Sequence, residues 1–493
     1  MTSPRRPDRW AMGLLLLQAV ALGIYFVANR ADGFAPHLYP DTASYTLLPQ
    51  QTWIEALSAP RTLGYPMLLA AWKAVVGSYA GLPTAQYFLH LAATLLFFRG
   101  LIAFGLGVWS AFWAATPLLH ANILHYFANA LLTDAPGASL ALLATAALLL
   151  ALARGGWRWG GFALALFAAY QVRPAYLFLL GTLPVAGLAL LWLRPHLPPA
   201  ASRPSRPFRA DAWRLMAAIL LPYLAFCGLR AGVVGHFGLV SFGGLNVVGI
   251  AAPLLSPDVI RTLEHEAPAP LPTLAQEIHQ EQQRRNLPEP FSAIGWIRYG
   301  PWVQHYNTQV HEIAYPLALK LTGGDGVAAN TLLAQLSLAV IRQRPADYLA
   351  WLGAAGVDAV CQTLRQERWI QLPGALLLGL LLVRGGQRIA AAPVAGSQPP
   401  LPAAINAPSP ASSVAPWDVW LLSLLAALHF GGGVLLIILV EPPLERYLFG
   451  VATLLPSPLA VALLHLIQDL RAHSRRAARH APSEPRLPME SQG

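Results

Sequence analysis

Charge is scarce in this chain. Of its 493 residues only 11% are Asp, Glu, Lys or Arg, while 55% are hydrophobic, and the mean hydropathy is +0.48. A soluble domain carries roughly 25% charged residues. A water-facing surface cannot be built from this composition, so lipid has to cover the chain instead. Cysteine is nearly absent as well, with only Cys227 and Cys361. Cys227 falls inside an apolar run, which argues against a bridge between them and leaves cysteine chemistry out of the reading. No repeat at solenoid spacing occurs.

The net charge of +10 is the one feature that points toward nucleic acid, and its distribution argues against that. The arginines sit between apolar runs and at the two ends, as they do in cytoplasmic loops beside anionic headgroups. The N-terminal Arg5-Arg6-Pro7-Asp8-Arg9 precedes an apolar run from Trp10 to Ala28. That run is too long for a typical signal-peptide core and lacks a small-x-small cleavage site, so it reads as an uncleaved first span.

What the chain has in abundance is apolar runs of spanning length. They fall near 10–29, 83–104, 106–124, 131–153, 159–172, 174–193, 213–234, 369–384, 417–440 and 447–469. At about 20 apolar residues per crossing, this predicts an all-α polytopic protein of about ten transmembrane helices with interfacial helices and one large outer loop. Runs 159–172 and 369–384 are short and need extension or a thinned bilayer. Run 63–80 opens with Gly64-Tyr65-Pro66 and carries Lys73, and reads as a surface or re-entrant helix.

Positive-inside bias then sets the orientation. Arg5, Arg6 and Arg9 place the N-terminus in the cytoplasm. Arg99, Arg154 with Arg158, the stretch from Arg194 through Arg214, Arg384 with Arg388, and the tail with Arg471, Arg475, Arg476 and Arg479 follow on the same side. A full crossing by 63–80 would invert every later loop. The chain divides into an N-terminal transmembrane module, 1–234, an outer loop region, 235–368, and a C-terminal part, 369–493. In the outer region Glu277 to Arg285 reads as a solvated helix. Leu332 to Val360, interrupted at Arg344-Pro345, reads as an amphipathic surface stretch. Segment 390–416 is rich in Ala, Pro and Ser and reads as a disordered cytoplasmic linker before the basic tail.

With that orientation, five polar motifs collect at the outer ends of spans, where ionisable groups are costly and usually functional. Pro40-Asp41-Thr42-Ala43-Ser44-Tyr45 follows the first span; Asp41 is a candidate general base or a helix cap. Arg61-Thr62-Leu63-Gly64-Tyr65-Pro66 suits phosphate recognition or an interfacial Arg/Tyr anchor. Thr133-Asp134-Ala135-Pro136 opens the fourth span, with Asp134 a second acid, a metal ligand or a cap. His120 and His125 nearby are spaced poorly for one helix face and read as interfacial. Arg173-Pro174 lies between two short spans against the charge bias; it either snorkels or needs a partner such as a lipid phosphate. Glu441-Pro442-Pro443-Leu444-Glu445-Arg446-Tyr447 gives either a Glu–Arg pair closing a turn or an arginine for an anionic ligand.

In this order the motifs resemble the GT-C superfamily of integral-membrane glycosyltransferases, and in particular bacterial members related to protein O-mannosyltransferases and the aminoarabinose transferase of lipid A. Val340-Ile341-Arg342-Gln343-Arg344-Pro345-Ala346-Asp347-Tyr348-Leu349 is similar to their surface helix before a late span. The likeness runs from the first span to the last, and its motifs are short. It implies a multi-pass protein of the bacterial cytoplasmic (inner) membrane, both termini cytoplasmic and the active site periplasmic or extracellular. It implies a hexosyl or pentosyl transferase that takes sugar from a polyprenyl-phosphate donor and passes it, with inversion, to a lipid, glycan or protein hydroxyl. Carried over, Asp41 is the base, Asp134 the second acidic position, and Arg61, Arg173 and Arg446 the donor-phosphate ligands. Tyr45, Tyr65, Glu445 and Tyr447 support them. The first loop has one acid where some relatives have a pair, the second position is Asp where Glu is common, and the C-terminal outer domain of some members is missing. No cofactor is fixed by the motifs and a divalent cation stays open.

Two other readings compete. An O-antigen ligase or polymerase of lipid-linked glycans would also use outer arginines, but in a large late loop. A lipid or sugar transporter would carry midplane charges and paired broken helices.

Overall fold

The computed structural model describes residues 6–29, 34–194, 207–291, 297–390 and 417–480. The linker proposed at 390–416 lies outside the described residues, apart from its first position. Among the described residues the regular structure is helical: two isolated β-bridges, His37 with Ala130 and Phe291 with Ile297, are the only extended pairings.

The helices run α1 Arg6–Ala28, α2 Thr42–Thr46, α3 Trp53–Ser58, α4 Gly64–Val76, α5 Leu82–Phe104, α6 Val108–Leu119, α7 Asn122–Phe127, α8 Asp134–Arg154, α9 Arg158–Val172, α10 Leu179–Leu193 and α11 Phe208–Val234. They continue as α12 Gly243–Ala251, α13 Pro257–Glu266, α14 Leu271–Arg284, α15 Tyr299–Gln304, α16 Tyr315–Leu321, α17 Gly326–Gln343, α18 Pro345–Gln366, α19 Arg368–Ala390, α20 Trp417–Val440, α21 Glu445–Val451 and α22 Pro456–His480. Among the described residues six helices are long and apolar enough to cross a membrane, and eight if two bent pairs each count as one span. The chain is therefore an all-α protein of polytopic membrane type.

The packing centres on α8, the most deeply buried of the long apolar helices. Its alanine-rich sequence lets neighbouring backbones approach, which is how helices associate where lipid supplies no hydrophobic drive. Gly100 of α5 makes one such approach: a Cβ there would lie 3.0 Å from the Ala146 carbonyl. By contrast α1 and α11 leave most of their large apolar side chains exposed, as lipid-facing helices do.

Two apolar runs do not form single helices. Run 106–124 breaks at His120-Ala121 into α6 and α7, with Pro117 near the end of α6, so the twelve-residue α6 falls short of a crossing. Run 63–80 ends early: α4 has 13 residues, about 20 Å at 1.5 Å per residue, and stops at Gly77 in the left-handed region. The start of α4 lies beside the start of α5. Tyr65, at the start of α4, donates to Gln86 in the second turn of α5, and Gln86 in turn donates to the Ala128 and Ala130 carbonyls.

Region 235–368 holds more helix than its sequence pattern suggests. The stretch expected around Glu277 is α14, which is amphipathic rather than fully solvated: Leu271, Leu274, Ala275 and Ile278 are buried. The interruption at Arg344-Pro345 is a real break, between α17 and α18. A seven-residue π-helix, Thr308–Ala314, leads into α16.

Arginines anchor both ends of the bundle. At one end Arg194 bonds the Leu152 carbonyl and Asp211, which also pairs with Arg214; Arg154 and Arg158 flank the same helix ends. At the other end the C-termini of α1, α9 and α20 meet the N-terminus of α8. Arg230, 1% exposed near the C-terminus of α11, ties this end together by donating to the carbonyls of Leu57 and Gly238 and to the Ser241 hydroxyl.

Candidate functional site

The first loop is fixed by its backbone before any side chain acts. The His37 amide donates to the Asn129 carbonyl at 2.8 Å and the Leu131 amide returns to His37 at 2.9 Å. Thr42 then bonds the Leu131 carbonyl through its hydroxyl, and accepts from the Tyr39 amide. Asp41 is thereby held beside the segment that leads into α8. It stands at the N-cap position of α2 but makes no cap with its side chain. Its carboxylate faces away and bridges two arginines: Arg61 Nη2 donates to Oδ1 at 3.1 Å and Arg446 Nη1 to Oδ2 at 2.8 Å.

Arg61 is brought there by the glycine three residues on. Gly64 packs on the last turn of α9 so closely that a Cβ would lie 2.5 Å from the Gln171 carbonyl oxygen. The guanidinium of Arg61 sits 5.0 Å above the ring of Tyr45, which meets Tyr65 edge-on at 5.4 Å. Arg173 follows directly after α9. Its Nη1 is 2.9 Å from Asp134 Oδ1 and donates to the Thr133 hydroxyl at 2.9 Å. Both charges are buried, with Asp134 2% exposed. The ring of Tyr447 lies between Arg173, at 5.0 Å, and Arg446, at 4.9 Å, and its hydroxyl accepts from Arg446 Nη2.

All five motifs thus converge on one cavity of about 230 Å³. Its polar side is Asp41, Arg61, Asp134, Arg173, Glu441, Arg446 and Tyr447. Its apolar wall includes Val172, Leu177, Phe242, Leu436, Ile437 and Val440. Such a chamber accepts an amphipathic anion: arginine forks for the charged end, aliphatic side chains for the rest.

Searches of family models, curated proteins and solved structures find no match to this chain.

The electrostatics separate Asp41 and Glu441, both half-buried in the cavity wall. Burial works against the charge on Asp41, yet the hydrogen bonds and charges of Arg446 and Arg61 outweigh it and hold Asp41 below the ordinary value. Glu441, just past the end of α20, goes the other way. Burial pushes it up to about 7, against the pull of Arg173 and Arg446.

The structure gives three of the residues named from sequence specific surroundings. Glu445 and Arg446 do not pair with each other: Glu445 accepts from Gln366, while Arg446 goes to Asp41. Tyr65 is buried behind Tyr45 and does not line the cavity; burial pushes its hydroxyl far up, and it holds Gln86. Asp134, the second acidic position, lines the cavity as the ion-pair partner of Arg173. His120 and His125 line a separate cavity with Tyr25 and Trp369. Both cysteines are free. Among the described residues no three His, Cys, Asp or Glu side chains gather as a metal site.

Two residues without a role in the sequence reading lie in or near the cavity. Glu441 is part of the quoted late motif, and the signal was its position one residue beyond a span. His311, within the π-helix, comes within electrostatic reach of Asp41 and Arg61. A π-helix is rare and tends to occur at functional sites, but sequence periodicity does not reveal one.

Proposed function

We propose that this chain is an integral-membrane glycosyltransferase of GT-C type. It moves a sugar from a polyprenyl-phosphate donor to a hydroxyl acceptor on the outer face of the cytoplasmic membrane. The observation that carries the proposal is the convergence of Arg61, Arg173 and Arg446 on one chamber with an aliphatic wall, at the bundle end opposite the Arg154, Arg158, Arg194 and Arg214 group. A lipid-linked donor remains in the bilayer and has to be met at such a depth. About ten crossings, with 235–368 outside, complete the topology we favour.

In this mechanism the acceptor oxygen attacks the anomeric carbon as its proton passes to Asp41. The carbon–oxygen bond to phosphate breaks, and the leaving phosphate gains one negative charge. Arginines already in place stabilise that charge without reorganising at the moment of reaction. Asp41 is a poor base while two arginines hold it. When the donor phosphate takes over Arg61 and Arg446, the carboxylate loses both partners and its basicity rises. Base activity is then conditional on a bound donor, which suppresses futile proton transfer. A single displacement needs no covalent carboxylate.

Binding tests this step apart from transfer. Purified protein in uncharged lipid nanodiscs is expected to bind polyprenyl phosphate, and Arg61→Ala with Arg446→Ala to weaken it at least tenfold. Equal affinity in the double variant contradicts the proposal.

A further inference from the structure

A second groove adjoins the cavity on the far side of Arg446. It has a volume of about 620 Å³ and is lined by Tyr39, Tyr126, Phe449, Arg365, Arg368 and Arg446, among others. Arg446 is the one arginine common to both spaces. Its Nη atoms are taken by Asp41 and Tyr447, while its Nε is buried without an acceptor.

Arg365 and Arg368 are exposed, and neither makes an ion pair or side-chain hydrogen bond among the described residues. Their backbone is nonetheless rigidly placed. Asn122 of α7 donates to the Gln366 carbonyl at 2.9 Å and to Glu367 Oε2 at 3.0 Å, and Glu367 is 3% exposed. The backbone that carries these two unpaired arginines is therefore fixed at the end of the bundle that holds the cavity. Positive-inside bias disfavours arginines on this side in the topology proposed above. The opposite wall offers aromatic faces: Tyr126 stacks on Phe449 at 5.2 Å with an interplanar angle of 7°. Arginine forks beside flat aromatic surfaces suit a sugar ring that carries a phosphate or carboxylate.

We propose that this groove is the acceptor subsite, and that the acceptor is an anionic glycan or glycolipid whose charged group is held by Arg365 and Arg368. The inference rests on the transferase reading and assigns the substrate of its second half. The donor enters from the aliphatic side of Arg446 and the acceptor from the aromatic side, so that the accepting hydroxyl meets Asp41 between them.

Glucose 1-phosphate and glucose are the probes, titrated without donor into protein in phosphatidylcholine nanodiscs. The expected result is binding of glucose 1-phosphate at least tenfold tighter than glucose, lost in Arg365→Ala/Arg368→Ala and restored in part by the double lysine variant. Polyprenyl phosphate binding is expected to be unchanged in both, which keeps a failure here distinct from a failure of the donor site. Equal binding of the two probes, or an unchanged double alanine variant with a wild-type melting temperature, overturns the proposal. A third arm replaces part of the bilayer with phosphatidylglycerol. If that lipid displaces glucose 1-phosphate through the same two arginines, the groove is a headgroup site of the bilayer and the acceptor assignment is lost.

Discussion

Asp41 and Arg446 are 405 positions apart in the chain and 2.8 Å apart in space. The contact joins the first loop to the turn between the last two long helices, so the site exists only when the whole chain is folded. Asp41→Asn keeps shape and one acceptor oxygen but removes the charge and the base. A lost general base costs about 100- to 10,000-fold in rate. Sugar transfer by Asp41→Asn is expected to fall in that range with donor affinity held within a few fold. A comparable loss of donor affinity instead assigns Asp41 to holding the arginines.

The buried pair of Arg173 and Asp134 makes a different prediction. Removing one partner of a buried pair leaves an uncompensated charge and costs about 3–5 kcal/mol, whereas replacing both by apolar groups is often close to neutral. Arg173→Leu is expected to lower the melting temperature in detergent strongly. Arg173→Leu with Asp134→Leu is expected to recover much of it while staying inactive. Additive losses in the double variant argue against the pair.

Asp41 and Glu441 predict opposite pH dependences. Glu441 is raised from 4.5 to about 7, so its contribution to stability is full below the lower value and is lost as pH rises through the upper one. Asp41 is lowered, so its contribution is present above its ordinary value of 3.8 and is lost as pH falls. Between pH 5 and pH 8 the melting temperature is expected to drift down, and Glu441→Gln to flatten that drift. Asp41→Asn is expected to flatten only the acid limb. An unchanged slope in Glu441→Gln removes Glu441 from this account.

Gly64 tests how the site is assembled rather than its chemistry. An added Cβ meets the Gln171 carbonyl 2.5 Å away, two residues before Arg173, and backbone cannot swing aside as a side chain can. Overpacking of this kind costs about 1–3 kcal/mol or more. Gly64→Ala is expected to destabilise the protein and reduce transfer together. Gly77→Ala at the end of the same helix has open space around it, and strains only its own left-handed backbone. Its effect on transfer is expected to be small.

Much of this site was legible in the sequence, but its connections were not. Charge placement along the chain located Asp41, Arg61, Asp134, Arg173 and Arg446, because polar groups at span ends stand out against apolar runs. Partner choice did not follow. Arg446 lies next to Glu445 in sequence, yet the extended Leu444 before α21 and the long reach of arginine bring Arg446 to a carboxylate from the first loop. The break at His120 was hidden because hydropathy stays high on both sides of it. The helices of 235–368 were only partly legible, since α12 is short and packs its small residues on α17: a Cβ on Gly244 would strike the Asn330 carbonyl.

Sidedness has its own test. Ala43 is exposed beside Asp41, and Trp157 is exposed at the opposite end of the bundle. Thr42 is unsuitable because it is buried and hydrogen-bonded. With Cys361 replaced by serine, a membrane-impermeant maleimide is expected to label Ala43→Cys in intact cells and to spare Trp157→Cys. The reverse pattern overturns the orientation.

Transfer itself tests the central claim most directly. Purified protein is incubated with radiolabelled polyprenyl-phosphate sugars and membrane glycolipids, and label leaving the polyprenyl donor is counted for wild type and Asp41→Asn. The account predicts donor-dependent transfer by wild type that falls at least 100-fold in the variant. Wild-type protein that binds no polyprenyl-phosphate sugar and releases no label from any of them, while folded and with its arginine cluster intact, contradicts it.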